Sequence, residues 1–321
     1  MLYNEIGVEK FLTATRAALV EDFMSSCSDF IVVERSLVPV SREGKLHAYF
    51  LIKAGMSTQR AFEILREKKY AGEIGYYGLK DSNSLSVQRI VLSKSLGDSF
   101  CLNGKALLKY IGKTSFFPRR GGFDGNIFAI RLPGSEQSLS TLKELQKTSH
   151  FPNFFGHQRF GTRKPLNHEI AIDLLQKGKL DPRRSWKHRI IAESLQAFIF
   201  NRCLSRLRDS SNLSRFGLLI GKEFEKYERR EGVSGEHFIC ALREAESLGI
   251  LEAVSKMSFP KAQLRQLYIQ NPLTRYYSLN GKIFAVLKMP PGSYASLVIR
   301  EIFKENEDWI FRKCSFPRIC S

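Results

Sequence analysis

Acidic residues are scarce in this chain: 32 Asp and Glu stand against 50 Lys and Arg in 321 residues, a net charge of +18. A protein this basic is commonly matched to a polyanion, nucleic acid first, beside the plain alternative of a solvated lysine-rich surface. Metal-binding spacing is also lacking. The six histidines form no H-x-x-x-H or H-E-x-x-H pair, and the six cysteines (Cys27, Cys101, Cys203, Cys240, Cys314, Cys320) form no C-x-x-C. No zinc ribbon is possible on that spacing, and no disulfide framework is expected. Gly97–Lys105 is a loose P-loop look-alike, with the wrong spacing and Ala106 where a magnesium-holding hydroxyl belongs, so ATP-driven chemistry is set aside. No apolar run reaches the roughly 20 residues that span a bilayer, and no signal-peptide core opens the chain. The expectation is a cytoplasmic monomer without membrane contact, metal or small-molecule cofactor.

What is present suffices for real cores, with 43% hydrophobic and 12% aromatic residues. β-Branched and apolar runs predict strands at Phe30–Glu34, His47–Lys53, Glu73–Tyr77, Ser86–Ser93 and Asn126–Leu132. Helices are expected at Ser57–Lys69, capped by Ser57, and near Ser138–Thr148. The middle differs: His168–Lys177 and Arg189–Arg208 read as helices, and the rest to about Gln270 as helix or loop. A strand returns at Lys282–Met289, followed by a Pro290-Pro291-Gly292 turn and a helix capped by Ser293 that runs to about Lys304. Such mixing indicates an α+β fold with one domain inserted into another.

Two stretches carry chemistry. In Gly75-Tyr-Tyr-Gly-Leu-Lys-Asp81-Ser-Asn-Ser-Leu-Ser-Val-Gln88 a strand ends, Gly78 lets the backbone turn, and Asp81 follows before the next strand. A carboxylate on a turn between strands is rigidly supported yet open to a ligand, as covalent catalysis requires, although by itself such an Asp is more often a turn residue bonding its own backbone. Between Gly156 and Ile191 there are nine Lys/Arg against three Asp/Glu, with Arg183, Arg184, Lys187, His188 and Arg189 set around Trp186. Bases interleaved with an aromatic suit a phosphate-tracking surface, or form an ordinary exposed loop.

The Asp81 segment resembles the motif G-x-K-D-x-x-A-x-T-x-Q of the TruD family of tRNA pseudouridine synthases. Four further segments resemble that family in its order: Asp29-Phe-Ile-Val-Val-Glu34, Gly125-Asn-Ile-Phe128, Asn153-Phe-Phe-Gly-His-Gln-Arg-Phe-Gly161, and Pro291-Gly-Ser-Tyr-Ala-Ser296 with Arg300-Glu301 behind. Ser84 and Ser86, on either side of Leu85, stand where the family has Ala and Thr, and Met24 and Ser28 occupy places where a lysine and a glutamate usually stand.

The resemblance implies a pseudouridine-synthase mixed-sheet core, discontinuous in sequence at 1–159 and 271–321, with a mainly helical TRUD domain inserted at 160–270. It implies conversion of a tRNA uridine, first of all position 13, to pseudouridine, with Asp81 as nucleophile or as base at C2′. Phe30 and Phe128 would stack on a flipped uracil, Asn126 would read its imide edge, Tyr294 would close the pocket, and Lys80 would pair with Asp81 or hold phosphate. Core packing is the alternative for the three aromatics, and a strand-entry turn for Asn126. Arg159, Arg183, Arg184, Lys187 and Arg189 would bind RNA, Arg159 being equally suited to a structural role. The rival functions are the same chemistry on another structured-RNA uridine, or an RNA-binding protein that keeps the fold without catalysis.

Overall fold

The computed structural model describes every residue except 1, 37, 120–121, 208–214, 257–258, 305, 317 and 321. By packing, the chain divides into two compact units, each stitched from three stretches. One comprises Met1–Arg16, Lys143–Pro272 and Ser293–Ile310; the other comprises Ala17–Leu142, Leu273–Gly292 and Phe311–Ser321. This division is drawn at different points from the insertion expected at 160–270.

The second unit is built on a nine-stranded mixed sheet. Its strands β1 (Phe30–Arg35), β2 (Leu46–Lys53), β3 (Ile74–Tyr76), β4 (Leu85–Leu92), β5 (Ser99–Leu102), β6 (Ala106–Thr114) and β7 (Gly125–Leu132) are joined by Leu273–Leu279 and Lys282–Met289. The order is Leu273–Leu279, Lys282–Met289, β7, β1, β4, β2, β6, β5, with β3 also beside β4. β1 runs parallel to β4, with Val32 opposite Ser86, while its pairing with β7 is antiparallel and sets Glu34 opposite Asn126 and Val32 opposite Phe128. Lys53 of β2 stands opposite Ser86. Because strand side chains alternate with period two, these pairings put Phe30, Glu34, Lys53, Ser86, Gln88, Asn126 and Phe128 on one face.

Helix Thr58–Glu67 covers part of that face. Ser57 caps it by accepting from the Arg60 N–H, and its apolar positions Ala61, Phe62, Ile64 and Leu65 are buried with Tyr49, Leu51, Ile90 and Leu108. Each of the larger side chains stabilises the fold by about 1.5–3 kcal/mol on burial.

In the other unit, helices Asn167–Gln176, Trp186–Arg206 and Gly235–Ser247 share a core of Ala171, Ile191, Leu195, Ile199, Phe238 and Ala241. The second helix starts three residues earlier than expected, at a Ser185 cap; residue 208, its expected end, lies outside the described residues. The middle, expected as helix or loop, also carries strands in two short two-stranded sheets, Phe216–Leu219 with Gln263–Gln266 and His150–Pro152 with Tyr268–Gln270, whose partners are too far apart in sequence to be read as hairpins. Ser293 does not cap the last long helix, which spans Ser296–Phe303; its hydroxyl donates to Asn153 Oδ1 (3.0 Å) instead.

The expectation of unpaired cysteines is also corrected. Cys27–Cys314, Cys101–Cys320 and Cys203–Cys240 are disulfides, and the first two join positions 287 and 219 residues apart. No local spacing reveals such partners. Disulfides on this scale belong to oxidising compartments and to the intracellular proteins of hyperthermophiles.

Asp29, at the head of β1, explains why an aspartate opens that strand. Its Oδ2 accepts from the Ser26 N–H (3.1 Å), while Arg131 of β7 donates from Nε to Oδ1 (2.6 Å) and from Nη2 to Oδ2 (2.7 Å). Both side chains are buried. Removing the cation strands a buried carboxylate, so Arg131→Met is expected to destabilise the protein by about 3–5 kcal/mol in denaturant unfolding. A loss under 1 kcal/mol would show that Asp29 does not need its partner.

Candidate active site

The turn between β3 and β4 carries Asp81 and is clamped from two sides. Thr58, at the start of helix Thr58–Glu67, donates its N–H to the Lys80 carbonyl (3.1 Å) and accepts from the Lys80 N–H at Oγ1 (3.0 Å). The same hydroxyl donates to Gln88 Oε1 (2.6 Å), and Gln88 Nε2 donates to the Gly78 carbonyl (3.0 Å). At the end of β2, Lys53 Nζ donates to the Asp81 carbonyl (2.7 Å) and the Gly55 N–H donates to the Ser82 carbonyl (3.1 Å). The turn is held through its backbone, which leaves the Asp81 side chain free to reach a ligand; Asp81 itself is exposed. Gly78 is not a tight approach: a Cβ there would meet Lys80 Nζ at an ordinary 3.7 Å.

Lys80 does not face solvent. Its ammonium forms an ion pair with Glu34 (3.0 Å), donates to Asn126 Oδ1 (2.8 Å) and lies 4.9 Å from the centre of the Phe123 ring. Glu34 and Lys80 are both buried, which is why the period-two register of β1 against β7 matters: it sets Glu34 beside Asn126, and Lys80 bridges them. Burial pushes the Glu34 carboxyl above its ordinary range, opposed by Lys80. The next positions along the same face are Phe128, buried, and Phe30, half-buried, with ring centres 5.7 Å apart.

Asp81 sits in a mixed field. Desolvation raises its carboxyl above the ordinary aspartate range, opposed first by Lys53 and then by Lys80. Lys53, with no exposed surface, is pushed down to about 8 by burial, opposed by the Asp81 charge. Among the described residues no group of three or more His, Cys, Asp or Glu side chains is placed to ligate a metal, and no helix is long and apolar enough to cross a membrane.

The structure thus brings together Asp81, Lys80, Asn126, Phe128 and Phe30. Tyr294 belongs to the other unit, where its ring lies 6.0 Å from that of Phe155. Arg159 is there too, half-buried and paired with Glu193 (3.0 Å). Arg183, Arg184, Lys187 and Arg189 are exposed around the first turn of helix Trp186–Arg206, beside Trp186 at 74% exposure. Arg189 pairs with Glu193 (2.9 Å) and Arg183 with Asp181 (3.3 Å). Sequence reasoning missed Lys53, Thr58 and the pairing role of Glu34. For Lys53 a signal existed: a lysine at a buried register of an otherwise apolar strand.

Set beside known proteins, the chain matches the family profile described as tRNA pseudouridine synthase D (TruD) over residues 5–181. It is 30% identical to a tRNA pseudouridine synthase D from Sulfurimonas denitrificans over 64% of this chain, and that match spans 59% of the relative's length, short of two thirds. It is 27% identical to a tRNA pseudouridine synthase D from Thermus thermophilus over 92% of each chain. A crystal structure titled as a TruD protein from Methanosarcina mazei superposes with a TM-score of 0.69 at 20% identity, covering 96% of this chain and 99% of that one, and so shares the fold.

The Lys53 charge has a measurable consequence. Neutralising it by Lys53→Met removes the main influence favouring ionised Asp81, so the Asp81 carboxyl is expected to titrate at higher pH than in the unchanged protein. Carbon-13 NMR of carboxyl-labelled aspartate, with Asp81→Asn for assignment, reads the shift. A titration that stays in place, or moves down, would remove Lys53 from the electrostatics of the turn.

Proposed function

Because the chain belongs to the tRNA pseudouridine synthase D (TruD) family, we propose that it isomerises a uridine of tRNA to pseudouridine, position 13 being the first candidate, with Asp81 as nucleophile. One observation carries the assignment. Lys80, the residue before Asp81, is hydrogen-bonded to Asn126, on the sheet face that also holds Phe30 and Phe128, so a carboxylate and a flat base-binding surface adjoin.

The reaction breaks the N1–C1′ bond, turns the uracil and joins C5 to C1′, with the C5 proton lost and N1 protonated. It is redox-neutral, and the residues named here supply what it needs. A uridine flipped from folded RNA stacks against Phe128 and Phe30, at about 1–3 kcal/mol per base. With its Oδ1 engaged by Lys80, Asn126 presents the Nδ2 donor to a uracil carbonyl. The Asp81 carboxylate then meets the ribose, by attack on C1′ or by taking the C2′ proton. Both routes need it ionised, which the Lys53 and Lys80 charges favour against desolvation. Tyr294 closing the pocket, and the 160–270 segment as an inserted TRUD domain, are parts of the same proposal.

The tRNA is held chiefly through its phosphates. Arg183, Arg184, Lys187 and Arg189 encircle a helix N-terminus, where backbone N–H groups and cations both attract anions, and the exposed Trp186 offers a stacking plane. Arg159, tied to Glu193, contributes through the shape of the unit as much as through charge. The compartment proposed is that of tRNA, the cytoplasm.

Asp81→Asn keeps size and hydrogen bonding but removes the nucleophile. It is expected to abolish tritium release from 5-tritiated uridine in bulk unmodified tRNA while tRNA affinity stays within a few-fold. Turnover above a few per cent of wild type would dismiss Asp81, and carbodiimide-stop sequencing of the product identifies the uridine. For the basic region, replacing Arg183, Arg184, Lys187 and Arg189 by Gln is expected to weaken tRNA binding and to lower the slope of log K against log salt by about 0.7–0.9 per lost phosphate contact. An unaltered slope would take this patch off the RNA-binding surface.

A further inference from the structure

The Asp81 turn has a third side, supplied by neither the sheet nor the helix. Residues 311–316 lie along it as a strap, and residues 318–320 continue beyond it. Asn83, two residues after Asp81, donates from Nδ2 to the Arg312 carbonyl (2.7 Å) and accepts at Oδ1 from the Cys314 N–H (2.9 Å). One side-chain amide therefore satisfies two backbone groups more than 200 residues away in sequence.

The strap is anchored on both flanks of that contact. The Cys27 N–H donates to the Ser315 carbonyl and the Ser315 N–H to the Ser25 carbonyl (both 2.8 Å). The Arg312 guanidinium donates to the carbonyls of Val20 (2.7 Å), Phe23 (2.9 Å) and Glu21 (3.0 Å). Phe316 lies on Gly55, whose φ of 63° and lack of a side chain both suit the contact: a Cβ there would fall 2.2 Å from the ring. Gly55 in turn binds the Ser82 carbonyl, so the strap reaches the turn by a second path. Two disulfides, Cys27–Cys314 and Cys101–Cys320, fasten the strap covalently.

We propose that Asn83 is a positioning residue that couples the strap to the Asp81 turn, and that the Cys27–Cys314 disulfide latches this coupling, so that turnover depends on thiol redox state while tRNA binding does not. The inference rests on Asp81 being the reacting group, and adds what holds it in place. Opening the latch is a two-electron reduction. A dithiol such as dithiothreitol attacks one sulfur as a thiolate, the S–S bond breaks, both protein sulfurs end as thiols, and the reagent closes to its cyclic disulfide. Beside the Asn83 contact the strap then keeps its hydrogen bonds and the Phe316 packing but no covalent tie to Cys27, and the turn gains freedom at a site where about 1 Å of misplacement costs orders of magnitude in rate.

The test uses the full oxidised chain and tritium release from tRNA, reading kcat and KM separately. Asn83→Ala is expected to lower kcat about tenfold with KM within about twofold, because only the reacting geometry is disturbed. The paired Cys27→Ser and Cys314→Ser variant should match wild type treated with dithiothreitol, whereas the paired Cys101→Ser and Cys320→Ser variant should retain most of its kcat and still respond to reductant. The cysteine variants and the reductant keep the question answerable if Asn83→Ala does not fold. Unchanged kcat in Asn83→Ala and in the Cys27/Cys314 pair, or kcat and KM failing together, would overturn the inference. If Asp81→Asn turns over as well as wild type, the assignment of Asp81 has failed, a result that no strap variant can produce.

Discussion

The parallel pairing of β1 with β4 is the constraint on which the site depends. β4 is bordered by β1 and β3 along one edge and by β2 along the other, so its register fixes three neighbours at once. A slip of one residue would turn Ser86 and Gln88 to the opposite face and leave the Gly78 carbonyl without its amide. The same pairing carries Phe30 and Glu34 alongside the strand that leads out of the Asp81 turn. Register, set by apolar alternation over dozens of residues, thereby determines where a few polar groups meet.

Those polar groups form a locally balanced set. Lys53 and Lys80 face Glu34 and Asp81, two charges of each sign, inside a chain of net charge +18. The excess positive charge lies elsewhere, part of it in the exposed cations around Trp186. Under the proposed function, long-range attraction of a polyanion and chemistry on an uncharged uracil fall to different residues. A buried ion pair such as Lys80–Glu34 contributes little net stability once desolvation is counted, but it confines an ammonium to one place, and through that ammonium the Asn126 amide to one orientation.

Much of this was legible in the sequence, and the gaps have physical causes. Strand Lys282–Met289, the Ser57 cap and the five motif segments stand where local pattern predicts, since each depends on residues close in sequence. β6 was missed because Gly112, at φ 142°, accompanies a register shift against Ala48 and Tyr49 and breaks the alternation. Leu273–Leu279 was missed as an edge strand with mostly exposed side chains and so no buried face to read. Asp81, Lys80, Asn126, Phe30 and Phe128 are named by motifs and Lys53 stands out as a lysine in an apolar strand, yet the Lys80–Glu34 pair and the roles of Thr58 and Asn83 lie beyond reach. Their partners come from other strands, a helix start and the strap, and no spacing rule links residues 34 and 80 or 83 and 314.

The stitched construction of the sheet unit also orders events in time. Its three stretches, Ala17–Leu142, Leu273–Gly292 and Phe311–Ser321, leave the ribosome far apart, with the whole 143–272 stretch synthesised between the first and second. Until Lys282–Met289 arrives, β7 is an open edge, and until residues 311–316 arrive Asn83 has no backbone to bind. A nascent chain holding Asp81, Phe30, Asn126 and Phe128 therefore still lacks two stretches of the unit that surrounds them. Contacts of such long sequence separation make assembly slow and expose an unpaired strand to neighbouring chains during translation. Closure of the sheet unit therefore waits until synthesis has passed residues 311–316.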